Sequence, residues 1–392
     1  CNRTGVEERA RARGVEEQSG QQPHMGGSGH ATTTVPEVVD ETKTLRDRFK
    51  GKAGPTMATE IQQKVTLGMG HMGRVRLIES SASVDELAKF DIEHSGLFAL
   101  KIMKKSEVIR LKQLTHVMDE RKLLMRLKNP FIMTLYHTYT DERNLYMLTE
   151  YIPGGELRTV LRRSKEQVFS NELARFYTAQ LVMVLQYIHG ENCIYRGIGT
   201  DNLLLDSAGY IKLVDFGFAK HLPPKEDEPS LTYTLCGIPE YLSPEMINNK
   251  GHGKGVDWWA CGILIYEMLA GYPPFYASDP YEIYQLILKG NFKMPKQFDA
   301  NVCHLIKKML KLDVSERLGC SPSGGAEDIK RQKYFRSLDW AALFNKTMPA
   351  PYVPDLDNAH DTAHFETYPD SVEESGPLLD SETAAKFDHW AH

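Results

Sequence analysis

The run Gly68-Met69-Gly70-His71-Met72-Gly73-Arg74-Val75 spaces its glycines as G-x-G-x-x-G-x-V between two stretches of strand-forming residues. Where side chains are missing, backbone N–H groups can approach a phosphate closely, so such a run could cradle a phosphate chain. A simple hairpin would use the same residues, and the run alone does not decide between them. Further residues follow in a fixed order. Lys101 closes Phe98-Ala99-Leu100-Lys101, Glu120 falls on the next helical stretch, and Asp215-Phe216-Gly217 precedes Ser243-Pro244-Glu245 and Asp257-Trp258-Trp259. Each charge taken singly reads as a solvated surface group.

The elements that must hold these residues come in two kinds. Ile61 to Leu67, Arg74 to Ile78, Leu97 to Met103 and Leu145 to Tyr151 read as strands, with helical spacing over Lys112 to Leu127. From Leu157 onward helices dominate, clearest over Glu172 to His189, Val256 to Ala270, Pro280 to Leu288 and Val302 to Leu310. The first 45 residues carry too little apolar surface to offset ordering entropy and read as disordered. The expected organisation is a small β-rich lobe over 58–150, a helical lobe over 151–345 and a tail over 346–392.

Composition removes several function classes. A net charge of −5 offers no basic field for nucleic acid or an anionic membrane. The longest apolar run, Trp258 to Phe275, is interrupted by Glu267, Gly271 and two prolines, so no membrane span is expected. Six scattered cysteines without a C-x-x-C pair argue against structural zinc or disulfides and for free thiols in a reducing cytoplasm. A start at Cys1 reads as a fragment or a translated leader, with Met25 and Met57 as candidate starts.

In this order the motifs resemble those of eukaryotic protein kinases, and within them the AGC group and its cyclic-AMP- and cyclic-GMP-dependent members. Gly154-Gly155-Glu156, Gly217-Phe218-Ala219-Lys220, Thr234-Leu235-Cys236-Gly237 and Gly271-Tyr272-Pro273-Pro274-Phe275 carry the narrower likeness, which runs from about residue 58 to the end. The resemblance implies an α+β bilobal fold that binds ATP and Mg²⁺. Lys101, held by Glu120, would contact the phosphates under Gly68, Gly70 and Gly73, while Asn202 and Asp215 would ligate Mg²⁺. Leu67, Val75 and Ala99 above and Leu204 below would enclose the adenine, with Glu150 to Ile152 as hinge, Thr149 as gatekeeper and Glu156 at the edge. Leu124, Leu135, Tyr195 and Phe216 would stack as a spine between the lobes.

The catalytic loop departs from that pattern. Where the family reads Y/H-R-D-x-K-P-E-N, this chain has Tyr195-Arg196-Gly197-Ile198-Gly199-Thr200-Asp201-Asn202. Gly197 replaces the Asp that accepts the substrate proton, and Gly199 replaces the Lys that neutralises the transferring phosphoryl group. Ile238 stands where relatives carry the Thr that bonds both. Losing one such contact costs roughly 10²–10³ in rate, so three linked changes predict a pseudokinase. The alternative is a weak serine/threonine kinase with Asp201 as substitute base.

Other parts of the pattern are kept. Thr234 aligns with the activation-loop phosphosite, and His116, Arg196 and Lys220 with the basic residues that would receive its phosphate. Glu156, Asp201, Glu240 and Glu267 match the family's acidic readers of arginine, and Leu235, Pro239 and Leu242 its apolar pocket. A basic peptide, a pseudosubstrate or a kinase regulatory subunit is therefore the expected partner. Insertions are expected at about Ser80 to Glu93 and His221 to Leu231. The last aromatics, Phe387 and Trp390, would fill a pocket on the small lobe.

Overall fold

The computed structural model describes residues 61–80, 96–224, 230–321, 324–368 and 376–390. The expected disorder of residues 1–45 and nearly all of the Ser80 to Glu93 insertion lie outside these, as do residues 225–229 of the longer loop and Ala391-His392.

Five antiparallel strands make the first layer. Strands β1 (Ile61–Gly70), β2 (Gly73–Ser80) and β3 (Leu97–Lys104) are followed by helices α1 (Lys105–Arg110) and α2 (Leu114–Arg126), then β4 (Leu135–Thr140) and β5 (Asn144–Glu150). Their spatial order is β1-β2-β3-β5-β4. Only His71 and Met72 separate β1 from β2, so the glycine run forms a hairpin and its loop at once. In β3 both faces are covered, which accounts for its nearly unbroken apolar reading. The helical spacing expected from Lys112 to Leu127 is α2, which begins only at Leu114 because the chain turns at Lys112 with φ +55°; the short α1 lies before the expected range.

The second layer is helical. Helix α3 (Leu157–Arg163) leads to α4 (Asn171–Gly190), after which come the short strands β6 (Cys193–Ile194), β7 (Leu203–Leu205), β8 (Ile211–Leu213) and β9 (Lys220–His221). Helices α5 (Pro244–Ile247), α6 (Gly255–Ala270), α7 (Pro280–Lys289), α8 (Ala300–Met309), α9 (Ala326–Lys330) and α10 (Trp340–Phe344) follow, and α11 (Ser381–Ala385) lies in the tail. Ser170 caps α4 by accepting the Leu173 N–H, and Asp279 caps α7 with Pro280 in its first turn. Helices α4 and α6 cross at the centre, and α6 is buried nearly all round, consistent with its apolar sequence. This is the bilobal α+β arrangement that the resemblance implies.

One continuous core joins the layers. Leu124, Leu135, Tyr195 and Phe216 are buried in it, with the Tyr195 and Phe216 rings 5.1 Å apart. The tail returns to the small lobe, where Trp390 is fully buried. Its indole N–H donates to Tyr146 O and its carbonyl accepts from Thr138 Oγ1 at 2.8 Å. Arg121 lies over the Trp390 ring and Lys105 over Phe387. Two cationic side chains thus flank an aromatic plug whose polar atoms are hydrogen-bonded.

Candidate functional site

Register places Lys101 between Val75 of β2 and Met147 of β5, at the centre of the sheet. From there Nζ reaches Glu120 Oε1 of α2 at 2.6 Å. Glu120 is almost fully buried while Lys101 is a quarter exposed, so the carboxylate fixes the ammonium and leaves one side of it open. Gly73 lets the start of β2 pass close against β3: a Cβ there would lie 1.9 Å from the Ile102 carbonyl oxygen.

Behind the lysine is an apolar slot. Leu67, Val75, Ala99, Thr149, Glu150, Ile152, Glu156 and Leu204 line it, so the structure brings these sequence-predicted residues together. Thr149 donates to Ala99 O at 3.2 Å, and Lys212 holds Glu150 at 2.8 Å. The sequence reading missed Met133, Met147, Val214 and Phe365 in the lining. Phe365 comes from the tail and stacks on Tyr151 with ring centroids 6.0 Å apart. Gly155 has φ +70°, and a Cβ on it would strike His364 O at 2.5 Å, so glycine lets the tail pass this close.

The front of the cleft joins the glycine loop to the large lobe. Gly68, Gly70, Gly73, Lys101, His116, Asp201, Asn202, Asp215, Thr234, Leu235 and Ile238 share one cavity. Asn202 Nδ2 donates to Gly197 O at 2.7 Å, which fixes the amide so that its oxygen is the atom available to a cation. Asp215 is buried with φ +53° and accepts the Gly217 N–H at 3.2 Å. A carboxylate and an amide oxygen beside a lysine and a glycine loop suit Mg²⁺ carried by a polyphosphate, and these residues fit that group. No group of three or more His, Cys, Asp or Glu occurs among the described residues as an independent metal site.

The catalytic loop itself is well anchored. Asp257 of α6 accepts the backbone N–H of Tyr195 at 2.9 Å and of Arg196 at 2.8 Å, and also meets His189 at 2.8 Å. The frame carries glycine, with no side chain, at two positions. A Cβ at Gly197 would stand 3.2 Å from the Tyr195 ring, a tight contact with a fully buried side chain. One at Gly199 would stand 2.4 Å from Ile238 Cδ1. The Ile238 side chain therefore fills the space into which a side chain at position 199 would grow.

The residues expected to receive a phosphate on Thr234, namely Arg196, Lys220 and His116, each have a partner in the structure. Thr234 is exposed, whereas Arg196 is buried, donating to Phe218 O at 2.8 Å and meeting His252 Nε2 at 3.4 Å. Burial pulls the Arg196 guanidinium below its ordinary pKa, and burial, with the Arg196 charge, pulls the His252 imidazole down to about 4. Lys220 bonds Thr232 at 3.1 Å and His116 bonds Gln113 at 2.9 Å.

The residues expected to dock a peptide divide into exposed and buried ones. Leu235 is half exposed and Pro239 and Glu240 partly so, but Leu242 is only 4% exposed and packs with Met246 and Val256. Glu267 accepts a hydrogen bond from the Tyr241 hydroxyl, and burial pushes its carboxyl above the ordinary range, as it does for Glu156. Asp201 forms an ion pair with Arg158, a residue that the sequence reading passed over.

Comparisons with known proteins agree with this geometry. The protein kinase domain family model matches residues 61–335. The chain is 45% identical to the cAMP-dependent protein kinase catalytic subunit PRKX of Homo sapiens over 78% of this chain and 80% of that protein. It is 43% identical to the Mus musculus protein of the same name, over 82% and 85%. With cAMP-dependent protein kinase type 3 of Saccharomyces cerevisiae it shares 40% identity over 82% of this chain and 76% of the relative.

Proposed function

The chain belongs to the protein kinase family, in its AGC group, and from that premise we propose that it binds ATP with Mg²⁺ but has lost phosphoryl transfer. It would act as a scaffold, allosteric partner or decoy for regulators of cyclic-nucleotide-dependent kinases. The observation that carries this reading is the pair Gly199 and Ile238. Deleting a side chain would leave a gap, but here the neighbouring side chain occupies it. Loss of the charge and filling of its space go together, as expected of a settled packing rather than of one damaging substitution.

Binding parts are kept beside that loss. Lys101 with Glu120, Asn202 and Asp215, and the apolar slot support nucleotide binding through residues of this chain alone. When bound, ATP would supply the phosphates that bring Mg²⁺ to Asn202 and Asp215. The family's Asp and Lys, which would accept the substrate proton and steady the transferring group, have no counterpart at positions 197 and 199. Asp201 is a poor substitute base, because its carboxylate is already engaged by Arg158.

Thermal unfolding with and without ATP and Mg²⁺ tests the binding half. Saturation at about 100 times the dissociation constant should stabilise the wild type by about 2.7 kcal/mol. Lys101→Ala should lose most of that gain, since a charge-assisted phosphate contact is worth about 1.5–3 kcal/mol. Equal stabilisation of both chains would remove Lys101 from the site, and no shift in either would leave a kinase-shaped module that binds no nucleotide.

A further inference from the structure

Helix α3 begins at the mouth of the cleft, and its second residue is basic. The Arg158 N–H donates to Thr200 O at 3.0 Å, which ties the start of the helix to the catalytic loop. Its guanidinium Nε then meets Asp201 Oδ1. The Arg158 side chain is 32% exposed and that of Asp201 11%, so the pair closes over an acidic floor and faces solvent on one side. Glu156 and Glu267 lie within reach of the same charge. Burial raises both carboxyls, and Arg158 opposes that rise in each, while Glu366 adds to it at Glu156 and Glu240 at Glu267. A single guanidinium thus serves a cluster of acids.

We infer that Arg158 is a built-in occupant of this acidic subsite and sets the specificity of the docking surface by holding the carboxylate that a peptide arginine would seek. The inference rests on the proposed decoy role, with the peptide-docking residues that the resemblance implies, and narrows their ligand. A second guanidinium at Asp201 would have to displace Arg158 or sit against a like charge, and either cancels the gain from the new contact. Peptides with a neutral residue at that place meet no such opposition, and the partly exposed Leu235 and Pro239 remain to hold them. The carboxylate of Asp201, one of the acids on which a basophilic surface would rely, is thereby paired from within.

Isothermal titration of the full chain tests this with two peptides, one bearing consecutive arginines before an alanine that replaces the phosphoacceptor, the other with those arginines changed to alanine. The wild type is expected to bind the two within about twofold. Arg158→Gln, which keeps the side-chain stem and the backbone bond to Thr200, should bind the arginine peptide about tenfold to a hundredfold more tightly than wild type does, the range of one charge-assisted contact. Adding Asp201→Asn should abolish that gain. A wild-type preference of tenfold or more for the arginine peptide, or unchanged binding in Arg158→Gln, overturns the inference while leaving the docking surface standing. Absence of binding by both chains to both peptides overturns the surface and the inference together.

Discussion

Adding one carbon at position 199 isolates the contact on which the functional reading depends. Gly199→Ala would place Cβ 2.4 Å from Ile238 Cδ1, well inside the roughly 3.5–4.0 Å at which carbons attract. The next atom, Ile238 Cγ1, is 3.9 Å away, so only the terminal methyl must move. Turning it off its rotamer costs about 0.5–1.5 kcal/mol. Against that, Gly199 is not among the residues with positive φ, so alanine there should stabilise by about 0.4–1 kcal/mol through the unfolded chain. The single substitution is expected to be close to neutral, and a double-mutant cycle separates the two effects. Ile238→Val deletes the offending methyl, and in that background Gly199→Ala should be stabilising. The expected coupling is about 0.5–1.5 kcal/mol, read from urea unfolding followed by tryptophan fluorescence. Additivity within about 0.3 kcal/mol would refute the claim that Ile238 fills the place of the missing side chain.

Two further outcomes follow from the packing. Trp390→Ala should destabilise the protein by about 3–5 kcal/mol in urea, because it empties a fully enclosed indole site on the small lobe; a loss below 1 kcal/mol would mean that the tail is not part of the folded unit. His252 has a folded pKa of about 4, below the ordinary 6.5, so on acidification the unfolded chain takes up its proton first. Stability should therefore fall between about pH 6.5 and 4, by about 1–2 kcal/mol after allowance for solvent screening, and His252→Asn should flatten that slope. An unchanged slope in the variant would assign the acid sensitivity to other groups.

Much of the site was legible because its residues act through local motifs. The glycine hairpin, Lys101 at a strand centre, Glu120 on the following helix and Asp215 before a phenylalanine each carry their context within a few residues. Long-range packing was not legible in that way. Met133, Met147 and Val214 carry no local motif, and only the folded chain brings them to the slot, Met147 from β5 and the other two from outside the strands. Phe365 enters the same slot from more than 200 residues beyond Tyr151. Strand β4 went unread because His137 and Thr138 interrupt its apolar pattern, and pairing with β5 sustains it instead. Leu242 matched an apolar docking position by type, yet its neighbours Met246 and Val256 draw it into the core. Arg158 carried no signal at all, since one arginine on a helix reads as surface until Asp201 is seen beside it.

Phosphate transfer from ATP, measured at high protein concentration on both basic and neutral serine peptides, tests the central claim most directly. Asp215→Asn serves as the control for contaminating kinase, and Gly197→Asp/Gly199→Lys/Ile238→Thr restores the missing groups together with the space for them. The expected result is no transfer by the wild type, stabilisation of that same protein by ATP and Mg²⁺, and transfer in the restored variant. Wild-type transfer that disappears in Asp215→Asn would contradict it.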